Sequence, residues 1–393
     1  MDDNTVVIVG GARTAMGGLN GSLAPVKATA LGSSAIAAAV ERAGLKGDDI
    51  EDVIMGCVLP AGLGQGPARQ ASLGAGLPVS TGCVTINKLC GSGMQAVIMA
   101  HDQIKTGTNT IMVAGGMESM TNAPHVLPGA RQGFRLGATE LKDHMFLDGL
   151  EDAYTGRAMG TFAQETANER GLTREAMDAW AIRSLERANA AIENGWLKDE
   201  ICPVTVTSRK GETVVDTDEQ PLTARPDKIP GLRPAFAKDG TITAANSSSI
   251  SDGASALVLT TAAEAARRGL TPIARIVGHA RHSQKPEHFT TAPVGAMQKL
   301  FAKTGWTPAD VDLYEINEAF AMVTMMAIDD LGLDPDTVNI HGGACAVGHP
   351  IGSSGSRIIV SLMHALKRLG KTRGVASLCI GGGEGTAVAI EMI

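Results

Sequence analysis

Short apolar runs alternate along this chain with longer stretches whose apolar residues recur every three or four positions. The runs at residues 5–10, 52–58, 110–114, 273–278, 311–316 and 375–379 are bounded by glycine or polar residues. Strands covered on both faces carry no polar alternate, so these read as inner strands of a sheet with helices on either side. The stretches at 28–43, 91–105, 318–331 and 356–369 read as helices. In the last, Ile358, Ile359, Leu362, Met363, Leu366 and Leu369 fall at helical steps. Alternating strands and helices predict an α/β fold with a largely parallel sheet.

The pattern is broken once and repeated once. Charged residues concentrate between about 121 and 250, which reads as a solvated insertion, helical around 165–194 and β-like or irregular around 204–216. An excursion of this kind is either plain surface or a cap over a site. Three segments return in the same order: Ile8-Val9-Gly10 in Ile276-Val277-Gly278, Gly91-Ser92-Gly93 in Ser353-Ser354-Gly355, and Gly115-Gly116-Met117-Glu118 in Gly381-Gly382-Gly383-Glu384. Ordered self-similarity predicts two similar α/β halves, with the insertion hanging from the first.

Composition narrows the function. At 393 residues, 44% hydrophobic and 19% charged, the chain is long and apolar enough for a large core. A net charge of −7 and only 3% aromatics leave little for phosphate neutralisation or base stacking, so nucleic-acid binding is not expected. No apolar run approaches the ~18 residues of a membrane span, and the first residues lack the pattern of a secretion signal. The 6 cysteines are scattered with no CxxC pair. A cytoplasmic, reducing compartment and free thiols are therefore expected, without a cysteine-bound metal.

Four segments carry candidate chemistry. In Asn87-Lys88-Leu89-Cys90-Gly91-Ser92-Gly93-Met94, a cysteine stands before a helix, where the dipole favours thiolate. In the loop from His341 to Gly355, His349 is followed by Pro350 and flanked by small residues, so a fixed imidazole could act as a base. In Cys379-Ile380-Gly381-Gly382-Gly383-Glu384, an apolar strand delivers a cysteine into a glycine turn whose N–H groups could hold an oxyanion. In Glu315-Ile316-Asn317-Glu318-Ala319-Phe320, Asn317 either caps a helix or holds a water or substrate oxygen. Taken singly, each also fits a purely structural role: a buried thiol, a bonded histidine, a tight turn, a cap. Together they suit acyl transfer through a thiolate, with a base and oxyanion donors. The glycine turn lies too near the end of the chain for a dinucleotide fingerprint, and no P-loop occurs.

NKLCGSGMQA, AGGMESM, INEAF, GGACAVGHPIGSSG and CIGGGEG, in that order over essentially the whole chain, resemble the motifs of the thiolase family. The resemblance implies a five-layered αβαβα core of two duplicated halves with an inserted loop domain that helps bind coenzyme A. It divides the chain into residues 1–120 plus 251–270, the loop domain 121–250, and residues 271–393. It implies an acetyl-CoA C-acetyltransferase activity: reversible condensation of two acetyl-CoA to acetoacetyl-CoA and CoA by ping-pong transfer through Cys90. No cofactor or metal is implied, the coenzyme A thioesters being substrates. The assembly it implies is a homo-oligomer, a tetramer in preference to a dimer.

By the same resemblance, Cys90 matches the acylated nucleophile, His349 its base and Cys379 the acid/base for the α-proton. Asn317 matches the residue holding a water in one oxyanion hole. The N–H groups of Cys90 and Gly381 match the other. Ser248 matches a serine beside pantetheine, and Arg225 is the candidate for the nucleotide end. Ala158-Met159 departs from a frequent His-Met pair, with Met159 expected on the floor of the acyl pocket. His341 stands where Asn is frequent, and Glu384 where Gln is. A broad-range degradative 3-ketoacyl-CoA thiolase and a non-catalytic acyl- or lipid-binding homologue are the alternatives. A ketoacyl synthase would offer His or Asn in place of Cys379.

Overall fold

The computed structural model describes residues 2–209 and 211–393. Two mixed sheets dominate it. In the first, Gly82–Ile86, Asp52–Gly56, Met112–Ser119, Ser251–Thr261 and Val6–Thr14 lie in that spatial order. In the second, Leu313–Ile316, Arg373–Ile380, Glu384–Met392 and Ala274–Ser283 repeat the order, and the fifth place is reduced to a single bridge between Tyr314 and Val338. The sheets meet along a short seam where Val7 pairs with Arg275 and Ile8 with Ala274.

Helices Ser92–Lys105 and Ile351–Leu369 pack on each other between the sheets. Ala28–Arg42 and Pro67–Gly74 cover the outer face of the first sheet, and Ala292–Thr304 with Ala321–Leu331 that of the second. This is the five-layered arrangement of two duplicated halves expected from the motifs. The duplication extends to an irregularity. The opening strand of each half slips register at the same point, between Ile8 and Gly10 and between Ile276 and Gly278. A Cβ on Gly10 would strike Ala39 O, and one on Gly278 would lie 3.0 Å from Thr304 Cγ2, so each glycine lets the outer helix lie against its strand.

The sheets are not largely parallel. Parallel pairing joins Asp52–Gly56 to both its neighbours and Leu313–Ile316 to Arg373–Ile380, with a short parallel contact of Arg13 and Thr14 to Ile201 and Cys202 from the insertion. Two strands not expected from the sequence make the rest antiparallel. Ser251–Thr261 returns from the insertion, and Glu384–Met392 returns through the Gly381–Gly383 turn, where Gly382 and Gly383 have φ of 83° and 86°. Ser251–Thr261 escapes an apolar pattern because Asp252, Ser255 and Thr260 are buried with it. The long helix begins at Ile351, ahead of its apolar stripe, because the small residues before Ser356 pack against the first half.

The insertion contains Met159–Glu169 and Arg174–Glu193, separated at Gly171 (φ 64°), and an antiparallel hairpin of Val204–Ser208 with Gly211–Val215. Arg13 anchors it. Its guanidinium donates to Glu200 at 2.6 Å and to both oxygens of Asp218 at 2.7 and 2.9 Å, all three side chains being buried.

The two halves touch most closely where Met112–Ser119 meets the start of the long helix: a Cβ on Gly116 would collide with Gly352 O and Ser353 Cα. Gly116→Ala is expected to cost about 3 kcal/mol or more, the upper end for overpacking a rigid contact. Gly231→Ala, with open space around it, is expected to stay within about 0.5 kcal/mol. Midpoints of urea unfolding read both, and equal midpoints would contradict the packing argument.

Candidate active site

Both central helices begin at one pocket. It encloses about 210 Å³ and is lined by Cys90, His349, Cys379, Gly381, Ser248 and Met159 among others. Six of the eight residues expected at the site therefore converge. Asn317 is buried outside this lining, and Arg225, exposed and paired with Asp227 at 3.3 Å, is not part of it.

A tight turn aims Cys90. Asn87 Oδ1 accepts from Leu89 N–H at 2.9 Å, Ser92 Oγ accepts from Lys88 N–H at 2.8 Å, and Ser92 Oγ donates to Leu89 O at 2.7 Å. These bonds hold Leu89 at φ 46°, a region costly for a bulky residue. Lys88 Nζ reaches Glu384 Oε2 at 2.5 Å, tying this turn to the C-terminal hairpin.

The electrostatics of Cys90 differ from the sequence expectation. The helix proper begins at Ser92 with Gly91 as its cap, so the thiol stands a residue outside the dipole's strongest field. Cys90 keeps partial exposure through the pocket, yet protein surrounds its sulfur. Burial pushes its pKa up to about 11, against the lowering by the N–H groups of Gly381 and Cys90, with the Glu118 carboxylate adding to the rise. The resting nucleophile is a thiol.

His349 supplies a neutral base. Burial, reinforced by the nearby Arg357 cation, pushes its pKa down to about 3. Ser354 Oγ donates to Pro350 O at 3.0 Å and so accepts from His349 Nδ1–H at 2.5 Å. That fixes the tautomer with Nε2 as acceptor, and Nε2 has no protein partner. Main-chain bonds from His349 N–H to Ser249 O at 3.1 Å and Ser251 Oγ at 3.2 Å hold the loop.

Cys379 ends its strand facing the same space. Burial, then the neighbouring Cys90, pushes its pKa well above that of an ordinary thiol, so it is a weak acid whose thiolate is a strong base. Asn317 does not cap the following helix: that helix starts at Ala321 after Phe320, with no side-chain cap. Instead Asn317 Oδ1 accepts from Arg357 at 3.2 Å, leaving its Nδ2 buried without a partner. Next to it, Glu318 accepts from Trp180 Nε1 at 2.9 Å, Ser184 Oγ at 2.8 Å, Asn339 Nδ2 at 2.9 Å and Cys345 N–H at 3.0 Å. It locks the insertion's long helix onto the catalytic loops.

Sequence reasoning passed over two sets of residues. Glu118 is fully buried and accepts from the N–H groups of Val58, Leu59 and Gly352 at 2.9, 3.1 and 2.9 Å; burial nonetheless raises it to about 7. The other set is aromatic. Four of the chain's 7 phenylalanines, Phe146, Phe236, Phe289 and Phe320, line the pocket. Their rarity in the chain was the available signal. Phe236 and Phe289 meet Phe320 edge-on with centroids 6.1 and 6.3 Å apart, and Met159 lines the pocket with all three. His341, by contrast, lies off the pocket, accepting from Arg368 at 2.9 Å.

Comparison with known proteins agrees with this geometry. Sequence profiles for the thiolase N-terminal domain and thiolase C-terminal domain match residues 6–263 and 270–392. The acetyl-CoA acetyltransferase of Cupriavidus necator is 50% identical, over 98% of this chain and 99% of its own. That of Schizosaccharomyces pombe is 47% identical over the full length of both. The crystal structure of Acat5 thiolase from Ascaris suum in complex with coenzyme A is 41% identical and superposes with a TM-score of 0.94, over 99% of this chain and 100% of that one.

A thiol at about 11 gives a test of the resting state. Its thiolate appears only as pH rises toward that value, so alkylation of Cys90 by iodoacetamide is expected to speed up about tenfold per pH unit between pH 7 and 9. Peptide mapping reads the rate at Cys90 alone. A rate already at its plateau at pH 7 would mean a thiolate–imidazolium pair instead.

Proposed function

This chain belongs to the thiolase family, and from that premise we propose that it is an acetyl-CoA C-acetyltransferase, interconverting two acetyl-CoA with acetoacetyl-CoA and CoA. The observation that carries the reading is the convergence of two thiols, a neutral imidazole and the Gly381 N–H on one apolar pocket.

In thiolysis, Cys90 gives its proton to His349 Nε2 and its sulfur attacks the 3-oxo carbon. The N–H groups of Cys90 and Gly381 meet one developing oxyanion. The unpartnered Nδ2 of Asn317 suits a bound water, which with His349 meets the other. The bond between C2 and C3 breaks, and the acetyl-CoA carbanion takes the proton of Cys379. Incoming CoA–SH loses its proton to the Cys379 thiolate and its sulfur attacks acetyl-Cys90. The departing Cys90 sulfur recovers a proton from His349, which closes the cycle; synthesis is the reverse. Protein groups account for every proton, so this chemistry calls for no metal or organic cofactor.

Ser248, on the pocket wall, is the candidate contact for pantetheine. Arg225, exposed on the insertion, would reach only a nucleotide lying outside the pocket. Exposed Leu127, Phe134, Leu136 and Leu141 on the insertion support a homo-oligomer; the preference for a tetramer over a dimer rests on the family resemblance. Six free cysteines fit a reducing, cytoplasmic setting, and among the described residues no helix is long and apolar enough to cross a membrane.

Cys90→Ala is expected to abolish acetyl transfer, while Cys379→Ser still forms acetyl-Cys90 from acetyl-CoA but condenses it with a second acetyl-CoA about 10²–10⁴-fold more slowly. Intact-mass measurement of the acetyl-enzyme beside steady-state rates separates the roles. Acetyl-enzyme formation from acetoacetyl-CoA by Cys90→Ala would remove Cys90 from the mechanism.

Met159 and the phenylalanine cluster wall the acyl end, so acetoacetyl-CoA is expected to be cleaved at least about tenfold more efficiently than the C8 3-oxoacyl-CoA, about 1.4 kcal/mol in the transition state. Met159→Ala is expected to narrow the ratio. Equal turnover of C4 and C8 by the unaltered protein would move the assignment to the broad-range degradative enzymes.

A further inference from the structure

Away from the pocket, the far end of the central helix Ser92–Lys105 meets the second half's strand Ala274–Ser283. Asp102 Oδ1 lies 3.0 Å from His101 Nδ1 and 3.0 Å from His279 Nε2. The ligand atoms of the three residues all lie within 4.8 Å of one another, and the two imidazoles stand edge-to-face with centroids 5.0 Å apart. None of the three lines the catalytic pocket.

We propose that His101, Asp102 and His279 form a site for one divalent transition-metal ion of the zinc class, with water completing the coordination. Two imidazoles and a carboxylate with an open position are a familiar donor set for zinc. Bonds of about 2.0–2.1 Å in a tetrahedron place neighbouring donor atoms about 3.3 Å apart. Both carboxylate–imidazole distances are already close to that, so only the gap between the two nitrogens has to close.

The surroundings suit an ion that enters from solvent. Asp102 is exposed, His101 is partly shielded and His279 is buried. Lys303 opposes a cation at the site, and its ammonium donates to His279 O at 3.2 Å. Because His101 and Asp102 belong to the first half and His279 to the second, the ion would pin the halves together at the end remote from the chemistry. It acts on stability and not on turnover.

Cobalt(II) reports the site directly. Chelator-dialysed protein titrated with Co²⁺ is expected to bind one equivalent per chain, developing visible ligand-field bands without a sulfur charge-transfer band, and to release it to Zn²⁺. Zn²⁺ at about a hundredfold excess over its Kd is expected to raise Tm by about 2–5 °C with activity unchanged. Asp102→Asn, an isosteric change at an exposed position, and His101→Ala are each expected to weaken binding at least tenfold and remove the Tm shift. Failure to bind one equivalent, binding unchanged in both variants, or a sulfur band would overturn the assignment, leaving a hydrogen-bonded His–Asp–His cluster and nothing more.

Discussion

A single buried carboxylate joins the two halves at the place where their chemistry meets. Glu118 ends a central strand of the first half. It takes N–H groups from Val58 and Leu59 on the same side and from Gly352 at the start of the second half's inner helix. Left unpaired, those donors would each cost about 1–3 kcal/mol in a site without water. Gly352 follows His349 by three residues, and the Glu118 charge is felt at Cys90. One acidic side chain therefore sets the height of the base's helix against the nucleophile's turn, and it raises the basicity of the nucleophile as it does so.

The insertion is held with comparable firmness by charges taken out of water. Arg13 grips Glu200 and Asp218, and Glu318 gathers four donors from the insertion and the catalytic loops. Breaking one partner of such a buried pair ordinarily costs about 3–5 kcal/mol, since the other charge stays behind uncompensated. Apolar contact alone would let this charged excursion slide. These clamps keep Met159 and Phe236, both carried by it, in register with Phe289 and Phe320 of the second half.

The layers and the repeat were legible because inner strands are apolar throughout and inner helices carry stripes. Cys90, His349, Cys379 and Gly381 were legible because glycine-rich turns give a thiol or an imidazole little to pack against, which points to chemistry at those positions. Strand Ser251–Thr261 was not, since its buried polar residues are satisfied by tertiary partners such as Ser353 and Ser356, which one-dimensional patterning does not see. The state of Cys90 was misjudged for a related reason: position before a helix shows the favourable dipole, whereas the larger opposing cost of burial comes from residues distant in sequence. Asn317 has the residue type of a cap, but the helix start is decided by Phe320 and the amide is taken by Arg357. Glu118 sat in plain view within a motif and carried no sign that three backbone donors would converge on it.

The paired register slips in Val6–Thr14 and Ala274–Ser283 have a historical meaning. One half holds the nucleophile and the other holds the base, so catalysis makes no demand that their opening strands share a defect. Both nevertheless keep the same extra residue, followed by a glycine under the same outer helix. An irregularity present at matching places in both copies was already in the single unit that was copied. The matching bulges fit a half-sized unit copied whole, with the division of labour between nucleophile and base laid over it.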